Sequence, residues 1–205
     1  MTHIKLCGLT RREDIDIVNE LKPDYIGFIF VEKSQRYINP IQAFELKKTL
    51  DPNIKVVGVF VDEEIELITD LFNLGIIDLA QLHGHESDGY IEELRKHSLK
   101  PLIKAFKIES LEDIEKANRS SADFVLLDSK SGGSGTRFDW SLLNGVTRDY
   151  FLAGGLSPEN VFEAVKELNL FAVDVSSGIE TDGYKDKEKM TDFVEKVRRA
   201  DDEKS

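Results

Sequence analysis

The chain has almost no cysteine, no long apolar run and no surplus of positive charge, and each shortage removes a class of protein. Cys7 is the sole cysteine. No internal disulfide can form, and nothing in the composition points to an oxidising compartment. No stretch approaches the roughly 20 apolar residues of a membrane-spanning helix, and Met1-Thr2-His3-Ile4-Lys5 carries no apolar leader segment. The cytoplasm is the expected compartment, with no membrane partner. Against 27 Lys and Arg stand 39 Asp and Glu, a formal net charge of −12. Nucleic-acid binding, which needs a basic patch, is disfavoured. An anionic ligand would have to be held by local donors such as backbone amides, helix N-termini and a few placed cations. The glycine-dense stretch 131–140 lacks the Gly-Lys-Ser/Thr ending of a phosphate loop, which disfavours nucleotide binding. Cys7, His83 and His85 make no recognised zinc spacing, so no metal is expected.

What is present is alternation. At 205 residues, 40% hydrophobic and 32% charged, the chain is sized for one globular domain with one core. Short apolar runs at 4–7, 25–30, 55–60, 79–83, 102–107, 124–128, 150–153 and 172–176 read as buried strands. Between them lie amphipathic segments such as Asp14–Leu21, Pro40–Leu50, Glu64–Leu74 and Pro158–Leu168. Eight strands, each followed by a helical segment, predict an α/β protein: a single-domain (β/α)8 TIM barrel of eight parallel strands over residues 1–199, with residues 200–205 a frayed charged tail. Thr10-Arg11-Arg12-Glu13 reads as a capping box opening the first helix, Ser110 as the N-cap of the fifth, and Ser157-Pro158 as N-cap and first residue of a later one.

Chemically capable groups collect at the carboxyl ends of the strands. Cys7 closes the first run, His83 the fourth, Asp128 the sixth, and Asp174 with Ser176 the eighth. Strand side chains alternate faces, and the apolar set of each strand belongs against helices. Lys5, Cys7, Gln81, His83, Asp128, Asp174 and Ser176 then point into the barrel. Desolvating that many polar groups costs several kcal/mol each (roughly, for unpaired ions) unless they are paired or wet, which a barrel mouth allows. Taken singly, Cys7 reads more readily as a small core residue, Asp128 as a helix cap or Asx-turn and His83 as a structural histidine, and Lys5 reads also as a partner for Asp174. Four strands agreeing on one rim favour an active site. After the seventh and eighth strands come Gly154-Gly155 and Ser176-Ser177-Gly178, at the position where this fold builds phosphate sites; either alone reads as a tight turn, and the two together favour a phosphate site. The stretch after strand six, Ser131–Trp140, reads as a lid beside Asp128, or as a simple connector.

Lys5-Leu6-Cys7-Gly8-Leu9-Thr10, Lys33-Ser34-Gln35-Arg36-Tyr37-Ile38, Gln81-Leu82-His83-Gly84, Leu127-Asp128, Gly132-Gly133-Ser134-Gly135 with Phe138-Asp139-Trp140, Gly154-Gly155-Leu156 and Asp174-Val175-Ser176-Ser177-Gly178-Ile179-Glu180 each resemble a segment of the phosphoribosylanthranilate isomerase family, in its order and spacing. The loop before Gly132 is shorter than the family's. The resemblance implies a cofactor-free and metal-free Amadori rearrangement in tryptophan biosynthesis, with Asp128 as general acid and Cys7 as base. Arg36 would hold the anthranilate carboxylate. Lys5, Gln81, His83 and Asp174 would contact the substrate, and Gly154, Gly155, Ser176, Ser177 and Gly178 its phosphate. The partner is then a small phosphosugar, and a monomer is the expected state. Chemistry near neutrality asks for a carboxyl above the ordinary ~3.9 and a thiol below the ordinary ~8.5. Lys5, about 7 Å along the same strand face, and the start of the first helix are candidate sources of positive potential for the thiolate.

Two other readings stay open. A histidine-pathway aminoaldose isomerase would use two aspartates and a second phosphate site, where this chain has Cys7 and an acidic Val61-Asp62-Glu63-Glu64 loop. A non-catalytic phosphosugar binder would need neither Cys7 nor Asp128.

Overall fold

The computed structural model describes residues 1–128 and 140–204. Eight parallel strands carry the fold: β1 (His3–Cys7), β2 (Tyr25–Ile29), β3 (Lys55–Phe60), β4 (Leu79–Leu82), β5 (Leu102–Lys107), β6 (Phe124–Asp128), β7 (Tyr150–Ala153) and β8 (Ala172–Val175). They hydrogen-bond in chain order in a closed barrel, as the apolar runs predict, and each expected range agrees to within one residue at either end. The helices are α1 (Arg12–Leu21), α2 (Pro40–Lys47), α3 (Ile65–Asn73), α4 (Asp88–His97), α5 (Leu111–Arg119), α6 (Val161–Glu167) and α7 (Lys187–Lys204). Ahead of β7 the helical segment is a 3-10 helix, Trp140–Gly145. A two-stranded hairpin, β9 (Glu180–Thr181) with β10 (Tyr184–Lys185), precedes α7.

By contact density the chain forms two compact units, Lys5–Ile103 with Ser121–Asp123, and Met1–Ile4 with Lys104–Ser120 and Phe124–Ser205. In the first unit, register fixes the faces. Lys5 pairs with Tyr25 and Cys7 with Gly27; Gly27 pairs with Val57, and Val59 with Gln81. Paired residues of parallel strands share a face, and the face repeats every second residue. Lys5, Cys7 and Gln81 therefore lie on one side, while Leu6, Ile26, Val56 and Ala80, all fully buried, lie on the other. In the second unit Asp128 pairs with Ala153 and Phe151 with Ala172, which puts Asp128 and Asp174 on a common face.

Helix starts follow side-chain reach more than motif. In α1 the Asp14 carboxylate, not Glu13, closes the first turn: it accepts from the amides of Thr10 and Arg11 at 3.0 Å each and from the Arg11 guanidinium at 2.7 Å. The expected box lies one residue early, because Ile15, Ile17 and Val18 set the buried face and leave Glu13 in solvent. Ser110 caps α5 as expected, with Asp113 accepting from the Ser110 amide and hydroxyl. Ser157-Pro158 does not open α6. Asn160 is its cap residue, and the Asn160 side chain is drawn back, accepting from the Ser157 amide and donating to the Gly155 carbonyl, both at 2.9 Å.

The tail also departs from expectation. Residues 200–204 continue α7 rather than fraying. Ala200 is buried, Asp201 accepts from the Thr2 hydroxyl at 2.9 Å, and Lys204 donates to the last carbonyls of α6, Leu168 at 2.6 Å and Val165 at 3.2 Å. These charged side chains anchor on backbone far away in sequence, which composition does not reveal. Among the described residues no helix is long and apolar enough to cross a membrane.

Candidate active site

In the first unit Lys5 is fully buried and Cys7 buried beside it, two residues apart on one strand face. Gly27 makes room for the thiol: a Cβ there would lie 2.5 Å from Cys7 Sγ, closer than any real contact. Sequence reasoning passed over Gly27, although a glycine inside a strand is a known sign of close approach. On β4, Gln81 Nε2 meets Nδ1 of His83, just past the strand end, at 2.8 Å. Gln81 is 1% exposed and its Oε1 has no hydrogen-bond partner among the described residues, while His83 is exposed. Under His83 the chain is braced by Glu86, also overlooked, which is buried and accepts from the amides of Asp62 at 2.8 Å and Gly84 at 2.9 Å. Arg36 sits half-buried on a loop turned back to its strand. The Ile38 amide donates to the Ile29 carbonyl at 3.0 Å, and the Arg36 amide to Ser34 Oγ at 3.1 Å.

In the second unit Asp128 is half-buried at the last position of β6, its carbonyl accepting from the Ile108 amide at 3.0 Å. The Lys107 ammonium is held above its ordinary pKa chiefly by Glu109, with a smaller contribution from Asp128, so a positive charge lies within electrostatic range of that carboxyl. Asp174 is 9% exposed. Lys104, a buried cation within β5, was not anticipated; its place on Leu102-Ile103-Lys104 breaks an apolar run, a signal that was available.

The two glycine loops of this unit meet. Gly154 and Gly155 adopt φ of 91° and 73°, the left-handed region that glycine enters without strain. A Cβ on Gly178 would lie 2.0 Å from the Leu156 carbonyl oxygen, so the loop after β8 rests directly on the loop after β7. Ser177 is exposed and Ser176 half-buried. Of the stretch read as a lid, 131–140, all but Trp140 lies outside the described residues. Among the described residues no group of three or more His, Cys, Asp or Glu converges as metal ligands would.

Residues 4–196 match the family model of N-(5'-phosphoribosyl)anthranilate isomerase. The chain belongs to that family. An isomerase from Thermoanaerobacter sp. (strain X514) is 44% identical over 204 residues, covering 97% of this chain and 98% of the relative; one from Clostridium kluyveri is 44% identical over 200 residues with the same coverage. Among solved structures, the phosphoribosyl anthranilate isomerase of Thermotoga maritima superposes with a TM-score of 0.89 at 38% identity, over 97% of this chain and all of that one. Another, solved in complex with reduced 1-(o-carboxyphenylamino)-1-deoxyribulose 5-phosphate, gives 0.86 at 36% identity over the same shares. The expected barrel, the isomerase class and the tie to tryptophan biosynthesis agree with these relatives.

Proposed function

We propose that the chain converts N-(5-phosphoribosyl)anthranilate to 1-(2-carboxyphenylamino)-1-deoxyribulose 5-phosphate, with Asp128 as acid and Cys7 as base. Asp128 delivers a proton to the ribose ring oxygen as the bond from that oxygen to C1 breaks, leaving a protonated Schiff base between C1 and the anilino nitrogen. The Cys7 thiolate then takes the C2 proton. The freed electron pair forms the C1–C2 double bond, the C–N π pair returns to nitrogen, and the enolamine tautomerises to the ketone by proton return at C1. Only protons move, so the reading includes no cofactor and no metal.

One observation carries it: the side chains with the required chemistry sit at the carboxyl ends of parallel strands, where this fold assembles its sites, and Gly27 leaves space at the thiol. Arg36 is read as the donor pair for the anthranilate carboxylate. Lys5, Gln81, His83 and Asp174 are read as substrate contacts, the unpartnered Gln81 Oε1 being a ready acceptor for a substrate N–H or O–H. Gly154, Gly155, Ser176, Ser177 and Gly178 are read as the phosphate cradle. The protein is taken to act on this phosphosugar in the cytoplasm, without nucleic-acid or membrane partners, as a monomer. One structural relative is described as a dimeric isomerase of Thermotoga maritima from which monomers were generated, so sedimentation of this chain at micromolar concentration checks the last point.

The test is the loss of substrate fluorescence with N-(5-phosphoribosyl)anthranilate generated in situ. Turnover by the wild type and its collapse in Asp128→Asn are expected. A folded wild type with no turnover would overturn the reading.

A further inference from the structure

The hairpin after β8 holds a buried ion pair that the chemistry above does not use. The Lys185 ammonium lies 2.6 Å from Glu180 Oε1, with the two side chains 2% and 8% exposed. It also donates to the Ser176 carbonyl at 2.9 Å and approaches Ser176 Oγ at 3.4 Å. Lys189 donates to the Glu180 carbonyl at 2.6 Å, and the Asp186 amide to the Ile179 carbonyl at 3.0 Å. The hairpin and the first turn of α7 are therefore fastened to the short 3-10 turn Ser177–Ile179.

A buried ion pair is a poor device for stability alone, since the cost of desolvating both ions offsets much of their attraction. Its geometry suggests a different use. In a trans peptide the C=O and the following N–H point in opposite directions. A cation gripping the Ser176 carbonyl from the hairpin side turns the Ser177 N–H the other way. Ser177 is exposed at the first position of that 3-10 turn. The next residue, Gly178, abuts the Leu156 carbonyl of the other glycine loop.

We propose that Lys185, seated by Glu180, is a positioning residue that orients the Ser176–Ser177 peptide so that its amide faces the phosphate of the substrate. The inference rests on the reading of the loops after β7 and β8 as the phosphate cradle. Lys185 acts through the peptide and does not touch the substrate. Its effect belongs to binding of the phosphate end and not to proton transfer at C1 and C2.

The test replaces the ion pair by apolar residues, Lys185→Met with Glu180→Leu, which leaves no unpaired buried charge. KM, kcat and the competitive inhibition constant of inorganic phosphate are measured on this variant and on the wild type. KM and the phosphate constant should both rise about tenfold, while kcat stays within about threefold. Lys185→Met alone should show the same rise in KM on its folded fraction, at lower thermal stability. A double variant with wild-type KM and phosphate inhibition would overturn the assignment of Lys185 and leave the cradle standing. Failure of inorganic phosphate to compete with substrate on the wild type would overturn the cradle, and the role of Lys185 with it.

Discussion

The two ends of the strands use polar residues in opposite ways. At the amino ends, carboxylates act as staples, and one device occurs twice. Asp78, just before β4, accepts from the Val56 amide of β3 at 2.8 Å and from Lys47 at the end of α2 at 2.7 Å. Asp123, just before β6, accepts from the Leu102 amide of β5 at 2.7 Å and from Arg95 of α4 at 2.8 Å. Each ties a strand start to its neighbour and to the helix before it. At the carboxyl ends the polar groups are a thiol, an imidazole, two carboxyls and two glycine loops, a mixture with little logic as staples and a clear one as proton-transfer and anion-binding parts. On the proposed reading, fold and chemistry are carried by different ends of the same strands, and substitutions should separate them.

The largest effects are expected at the carboxyl ends. Asp128→Asn and Cys7→Ser should each lower kcat by about 10²–10⁴, the usual contribution of a placed acid or base, with melting temperature shifted by no more than a few degrees. Steady-state kinetics with thermal unfolding checks both. Loss of fold in parallel with loss of rate would erase the distinction between the two ends. Gly27→Ala is the next test. Its Cβ has no place beside Cys7 Sγ, so the variant should lose about 1–3 kcal/mol of stability by overpacking and more than tenfold in kcat as the thiol is displaced. A variant with unchanged kcat would show that the position of the thiol is not critical, and with it that Cys7 is not the base.

At the amino ends the balance should reverse. Asp78→Ala and Asp123→Ala each leave a strand amide and a cation without their acceptor, at a cost of roughly 1–3 kcal/mol, while kcat/KM stays within about twofold. Urea unfolding beside the isomerase assay reads both quantities. A large fall in turnover with intact stability would mean that these staples transmit to the site.

The strands, and the side chains on their ends, were legible because both signals are local: a run of apolar residues, and a polar residue where the run stops. Pairing of distant segments was not. Asp201 on Thr2, Lys204 on the end of α6 and Lys185 on Ser176 are contacts between charged residues and backbone elsewhere in the chain, and a charged segment looks the same in sequence whether it frays or docks. The cap of α1 was off by one because the buried face, not the Ser/Thr motif, sets helix rotation. Gly27 was legible in principle, but only after Cys7 was known to face it.

The smallest effect comes from a carboxylate at the start of α5 that serves the fold, and it limits the contrast between the two ends. Burial pushes the Asp113 carboxyl up, but hydrogen bonds from the Ser110 hydroxyl and from the amides of Glu109 and Ser110, with the Lys116 charge, outweigh this and hold it below its ordinary value. A carboxyl depressed in the folded state adds stability above its unfolded pKa, and that contribution is lost as pH falls through the folded pKa. Asp113→Asn should therefore cost up to about 1 kcal/mol at pH 7, the scale of a capping interaction, without changing kcat. The gap between wild type and variant should narrow as pH drops below ~4. Urea denaturation at pH 7 and pH 3 measures it. A gap of equal size at both values would show that Asp113 acts through shape and not charge, whereas a fall in kcat would place it among the working groups at the carboxyl ends.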